Sequence, residues 1–244
     1  MKHLLHLVFL FSIGSLLAQP IAVSTTQTPQ QLVDNVLLGF GVTAFNVTIN
    51  GNPALANTAQ SNVGYFTNTN PAFPINNGLV LTTGNATAAI GPNNSTSFTL
   101  NNPQTSVVSS DPHLNDIAAG NVTNGVVLEF DFIPSGDTLV FNYMFGSDEY
   151  PEFSPSTFND AFGLFLWGPG ISGTYALPGY PNGGANIATI PGGSPVTINN
   201  VGDVSNTQYY VFNEASSTLT YGDAIQYDGT TVLLTAAASV QCNQ

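Results

Sequence analysis

FNYMFGSDEYPEFSPSTFNDAFGLFLWGPG, residues 141–170, is the stretch on which the reading of the whole chain turns. Two apolar runs, residues 141–145 and 161–167, bracket a loop carrying Asp148, Glu149, Glu152, Asn159 and Asp160. The unit reads as strand, acidic loop, strand. Residues 162–167 are apolar on both faces, which predicts a central strand of a packed sheet, and Gly168-Pro169-Gly170 stops it.

Working outward, residues 126–132 alternate, with Val126, Leu128, Phe130 and Phe132 on one face and Val127, Glu129 and Asp131 on the other. Pro134-Ser135-Gly136-Asp137 predicts a turn, and residues 138–145 a return strand with Leu139, Phe141, Tyr143 and Phe145 inward. Together they predict a hairpin. Further strands are expected at residues 185–190, 196–198, 209–212 and 230–236. On the other side, residues 45–49 run into a tight turn at Asn50-Gly51, and residues 79–83 form a strand closed by Gly84. Residues 52–74 read as polar and irregular, and residues 85–111 as long loops with one short strand near 97–100. One helix is expected, after Thr28: Thr28 can cap, Pro29 suits the first turn, and Leu32, Val33, Val36 and Leu37 share a face before Gly39. The fold predicted is all-β, a jelly-roll-like β-sandwich with one short N-terminal helix, forming a single domain over residues 19–244.

Composition bounds the function. Of the 244 residues 43% are hydrophobic and only 6% charged, which with 24 Gly and 16 Pro fits a folded, turn-rich β protein. Lys2, the apolar residues 4–17 and Leu16-Leu17-Ala18 predict a signal peptide over residues 1–18, cleaved before Gln19. That apolar stretch is shorter than the roughly 20 residues needed to span a bilayer, and no later one is longer. Lys2 is the only basic residue, so residues 19–244 carry 14 acids and no Lys or Arg. A chain without cations cannot neutralise phosphates, which excludes nucleic acid as a partner and disfavours anionic membrane surfaces. Cys242 is the lone cysteine, a thiol without an intramolecular partner.

An ordered set of motifs resembles the choice-of-anchor L family. It comprises Leu32-Val33-Asp34-Asn35-Val36-Leu37, Gly41-Val42-Thr43, Gly78-Leu79-Val80-Leu81-Thr82-Thr83-Gly84 and Gly91-Pro92-Asn93. It continues through Leu128-Glu129-Phe130-Asp131-Phe132-Ile133-Pro134, Phe145-Gly146-Ser147-Asp148-Glu149-Tyr150, Asn159-Asp160-Ala161-Phe162-Gly163, Gly168-Pro169-Gly170 and Ile198-Asn199-Asn200-Val201. The resemblance implies an exported bacterial surface module, typically of Bacteroidota, and no known reaction. Members usually continue past the Cys242 position with a strand pair, so it also implies a domain truncated at its C-terminal end, with a sheet edge left open to aggregation.

Calcium is the sharpest chemical expectation. Ca²⁺ takes six to eight oxygens, and Asp148, Glu149, Glu152, Asn159 and Asp160 offer such ligands with no Lys or Arg to offset them. The bland alternative is a solvated loop whose Asn159 and Asp160 bond the backbone at a turn. Glycoside hydrolysis needs only two carboxylates, for which Glu149 or Glu152 with Asp160 are the candidates. His113 is the only histidine after residue 18, too few N/S ligands for a zinc site. No G-x-S-x-G, P-loop or dinucleotide fingerprint occurs, and Asp111 to Asp116 reads as a turn with solvated acids. Trp167 reads as core, whereas Tyr175, Tyr180, Tyr209, Tyr210, Tyr221 and Tyr227 could stack sugars. The function expected is a non-enzymatic, exported cell-surface or adhesion-type module, Ca²⁺-stabilised, displaying loops for extracellular glycan or protein binding. A secreted glycoside hydrolase is the alternative.

Overall fold

Short antiparallel strands dominate the computed structural model of the chain, which describes residues 19–53, 62–96, 108–215, 220–221 and 223–242. Strand β1 (Ala22–Ser24) pairs with β3 (Val63–Thr67), which pairs with β4 (Asn77–Leu81). Strand β2 (Thr43–Ile49) pairs with β5 (Leu128–Ile133), and β6 (Thr138–Tyr143) with β15 (Leu234–Ser239). Strand β7 (Gly146–Ser147) pairs with β14 (Gly229–Thr231), whose other edge takes β13 (Tyr210–Phe212). Strand β8 (Ala161–Phe162) pairs with β12 (Val196–Thr197). Strand β9 (Phe165–Leu166) pairs with β11 (Tyr180–Asn186), which also holds β10 (Tyr175–Leu177). The fold is all-β and sandwich-like, as the sequence predicts.

The predicted N-terminal helix forms, as α1 (Pro29–Leu32). The Thr28 hydroxyl accepts the Gln31 N–H at 3.2 Å, and Gln31 Oε1 accepts the Thr28 N–H at 2.9 Å, a complete capping box. The helix widens into a π-turn over Val33–Leu37. Its apolar stripe is what the core takes up: Leu32 packs on Ile49 and Val63, and Val33 on Ala44 and Val47. Asn50 and Gly51, both at positive φ, make the predicted tight turn after β2. The Asn50 side chain accepts the Val127 N–H at 2.8 Å and so seats that turn on the approach to β5.

Several expectations need correction. Residues 230–236, expected as one strand, divide between β14 and β15 in different sheets. Residues 126–145 supply two strands of the predicted parity but no hairpin, because β5 and β6 belong to different sheets. Residues 134–137 carry the chain across. Alternation reports which face is buried; it says nothing of which neighbour completes the ladder. Residues 162–167, expected as one central strand, are instead divided between two short strands in different sheets. The break falls at Gly163, where a Cβ would stand 2.4 Å from the Phe165 ring, and at Leu164, whose N–H bonds the Asn186 side chain at 3.1 Å. Residues 52–74, read as irregular, contain β3, whose Val63 and Phe66 are core residues. Residues 111–116, read as a turn with solvated acids, instead open a second helix, α2 (Pro112–Ala118), because the Asp111 carboxylate caps the N–H groups of His113 and Leu114 at 2.9 and 2.8 Å. The predicted signal peptide and the predicted strand near residues 97–100 lie outside the described residues.

Irregular segments this deeply buried need partners for their backbone, and asparagine supplies them. The Asn68 amide donates to the carbonyls of Asn70, Phe73 and Ile75 at 3.0–3.1 Å, and its Oδ1 accepts the Asn70 N–H at 2.7 Å. Asn70 in turn accepts the Ala72 N–H at 3.0 Å and donates to the carbonyls of Gln19 and Tyr221. These bonds fold residues 68–75 under Phe73, which meets Phe66 and Tyr221 edge to face. Asn68→Ala leaves several buried groups unpaired and is expected to cost about 2–3 kcal/mol in urea unfolding of residues 19–244. Asn121→Ala, at an exposed site, should change stability by less than about 0.5 kcal/mol.

Candidate functional site

The acidic loop is pegged from below by Tyr150 and Ser154. Tyr150 is fully buried, donates its hydroxyl to the Val201 carbonyl, and lies with its ring centroid 4.9 Å from that of Tyr210. Its ring occupies the space beside Gly229, where a Cβ would come within 2.7 Å of it. Ser154 donates to the Ile198 carbonyl at 2.6 Å. Burial, and then the neighbouring Tyr210, pushes the Tyr150 hydroxyl far above its ordinary value. It is a structural peg, always protonated.

On that base the five predicted ligands separate. Both ends of the Asn159 amide are committed to backbone: it donates to the Ala118 carbonyl at 2.8 Å and accepts the Asn199 N–H at 3.2 Å. Asp160 is exposed and accepts the Ser147 hydroxyl at 2.8 Å, while Ser147 accepts the Glu149 N–H at 3.1 Å. Glu152 is exposed. Glu149 is half-buried, and burial, then the charges of Asp160 and Glu152, push its carboxyl up. Asp148 is half-buried too, and its Oδ1 is sealed with no hydrogen-bond partner. Among the described residues no three His, Cys, Asp or Glu side chains converge as metal ligands.

Sequence reasoning missed Asp228. Strands β7 and β14 pair Gly146 with Thr230 and Ser147 with Gly229. Continuing that register by one residue sets Asp228 across from Asp148. Asp228 is 0% exposed. Its Oδ1 accepts the Asn93 amide at 2.7 Å, but its Oδ2 is sealed without a partner. Burial above all, then the charges of Asp228, Glu149 and Asp160, raises the Asp148 carboxyl to about 7, against an opposing hydrogen bond from the Asp228 backbone. Burial first, then Glu152 and Glu214, raises Asp228 to about 6, against the Asn93 bond. The only sequence signal was an acid at the mouth of a strand, and no local pattern says which acid it will face.

A second feature lies around α2. The His113 ring stands 5.2 Å from Phe165, 5.3 Å from Trp167 and 5.7 Å from Tyr175, with Nε2 3.1 Å from the Ala176 carbonyl. Trp167 spends its indole N–H on the Tyr175 carbonyl at 2.9 Å. Trp167 and Tyr175 are therefore packing residues. Beyond them the turn from β10 to β11 borders an open groove of about 520 Å³ lined by Thr174, Pro178, Tyr180, Pro181 and Asn182, among others. Tyr180 is 37% exposed; Tyr209, Tyr210 and Tyr227 are half-buried and Tyr221 is buried.

The family model of the choice-of-anchor L domain matches residues 21–244. The chain belongs to that family. Membership points to a surface-associated, non-enzymatic module, and no helix among the described residues is long and apolar enough to cross a membrane. Comparison of this choice-of-anchor L domain with curated proteins and with solved structures found no match.

The aspartate pair makes stability depend on pH. Both carboxyls bind their protons more tightly in the folded chain than at the ordinary value of 3.8. Their contribution to stability is therefore full below about pH 4 and is lost as pH rises through about 6 to 7. In metal-free buffer the urea midpoint should fall between about pH 5 and about pH 8, and fall less steeply in Asp148→Asn.

Proposed function

We propose that this choice-of-anchor L domain is a non-enzymatic, calcium-stiffened display module at the cell surface that binds an extracellular glycan through the turn joining β10 to β11. The groove there carries the reading. It offers an exposed tyrosine ring beside two prolines, with Thr174 and Asn182 as neutral hydrogen-bonding groups and no charged side chain in its lining. A sugar ring suits such a surface: its apolar face lies on the aromatic ring and its hydroxyls reach amide and hydroxyl groups. A nucleic acid or phosphorylated ligand does not suit it, since residues 19–244 contain no Lys or Arg. The hairpin is held from behind by Trp167 and His113, so the groove stands on packed elements.

A glycan array probed with the signal-free protein tests this. Defined hits are expected, weakened about tenfold or more by Tyr180→Ala, a loss of roughly 1.4 kcal/mol, with the urea midpoint unchanged. An array without hits, alongside binding to a host or matrix protein, would move the site to protein recognition. Turnover of a bound glycan that Glu149→Gln or Glu152→Gln abolishes would replace the reading with a glycoside hydrolase.

A further inference from the structure

We propose that Asp148 and Asp228 together hold one Ca²⁺ ion, bridging the two sealed carboxylate oxygens that no group of the protein satisfies. This takes over the calcium part of the reading above and rests on nothing in its glycan part. Like charges facing each other across antiparallel strands are destabilising, and Asp148 and Asp228 each stand one residue beyond the paired ends of β7 and β14. A sealed carboxylate oxygen without a partner carries the full desolvation cost of that group. Asp228 Oδ2 is such an atom, in a side chain with no exposure at all, and Asp148 Oδ1 is another. A protein cation would be the usual remedy, but residues 19–244 contain no Lys or Arg. What remains is a proton, a buried water or a metal ion.

The surroundings favour the metal. Glu149 and Asp160 bear on Asp148, and Glu152 and Glu214 on Asp228, so four further carboxylates lower the potential around the pair. A field of that sign concentrates divalent cations at the mouth. Asp148 is half-buried, whereas Asp228 has no exposure. A set of two carboxylates completed by backbone carbonyls and water matches the hard-oxygen, geometrically tolerant coordination of Ca²⁺. The ligand set therefore differs from the one the loop sequence suggests: Asn159 is committed to backbone at both ends, Asp160 is exposed and accepts the Ser147 hydroxyl, and Asp228, eighty residues along the chain from Asp148, becomes the inner ligand.

The test is calorimetric titration of the EDTA-stripped, signal-free protein with CaCl₂ at about pH 8, with thermal unfolding alongside; a filled site raises the midpoint. One ion per chain is expected, with affinity lowered about tenfold or more and the midpoint shift lost in Asp148→Asn and in Asp228→Asn. Glu152→Gln and Asp160→Asn should keep both. If Asp228→Asn does not fold, Asp148→Asn at the half-exposed side decides. No Ca²⁺ binding by the unaltered protein overturns the proposal and leaves a proton-sharing pair. Binding that survives Asp148→Asn but is lost in Asp160→Asn overturns it in favour of the outer loop. Glycan hits can fail while Ca²⁺ still binds, so the two readings fall separately.

Discussion

The absence of positive charge constrains everything else in this molecule. With no Lys or Arg beyond Lys2, no buried carboxylate can be ion-paired and no buried carbonyl can be reached by a long cationic side chain. The fold nevertheless buries a good deal of irregular backbone between its small sheets. Asparagine fills the gap. A carboxamide offers two donors and an acceptor on one short arm without the desolvation cost of a charge. Asn68 and Asn70 organise the segment under Phe73, while Asn62 holds the chain after β4 by donating to the carbonyls of Thr82 and Gly84. Asn213 ties itself to Tyr221 and Tyr227, accepting the Tyr221 N–H at 3.2 Å and donating to the Tyr227 carbonyl at 3.0 Å. These bonds permit short, two- and three-residue strands to assemble, since the loops between them are already satisfied.

Where the same constraint meets an acid, the outcome differs. Asn93 relieves one oxygen of Asp228 and, at 2.8 Å, the Asn213 carbonyl, and with that its donors are used. Nothing neutral remains for Asp228 Oδ2 or Asp148 Oδ1. Tyr150 fixes the geometry: its ring fills the space beside Gly229 and its hydroxyl holds Val201, so the two strand ends cannot slide apart. A pair that could separate would solvate itself. This one is held.

Much of the fold was legible because it depends on local patterns. The capping box at Thr28, the turn at Asn50-Gly51 and the face parity of β5 and β6 follow from residues within a few positions of one another. Pairing does not. β5 takes β2 and β6 takes β15, whose paired residues lie 79 to 101 positions apart along the chain. Strand β3 was hidden because Gly64 breaks its alternation, a glycine required where a Cβ would come within 2.9 Å of Val23 on β1. Helix α2 was hidden because Asp111 reads equally as a turn former or a cap until the following residues commit. The acidic loop was visible as a cluster, but which of its acids matters depends on Asp228, which only the β7–β14 register reveals.

The aspartate pair and the groove are joined by a continuous chain of contacts. Asp148 follows Ser147, which bonds Asp160; its neighbour Asn159 bonds Ala118 at the end of α2, and His113 at the other end of α2 packs on Tyr175 behind the groove. Contiguity of this kind is not coupling, which needs an element with two arrangements that both sites bias. Helix α2 is a poor candidate for such an element. Its start is fixed by the Asp111 cap and its end by Asn159, and Ile117 lies against the Gly163 break between β8 and β9. A helix of seven residues pinned at both ends and along one side has little room to shift. The link is therefore a rigid strut: it sets the groove at a fixed place relative to the acidic loop, and an ion bound at one end would stiffen the support of the other without switching it.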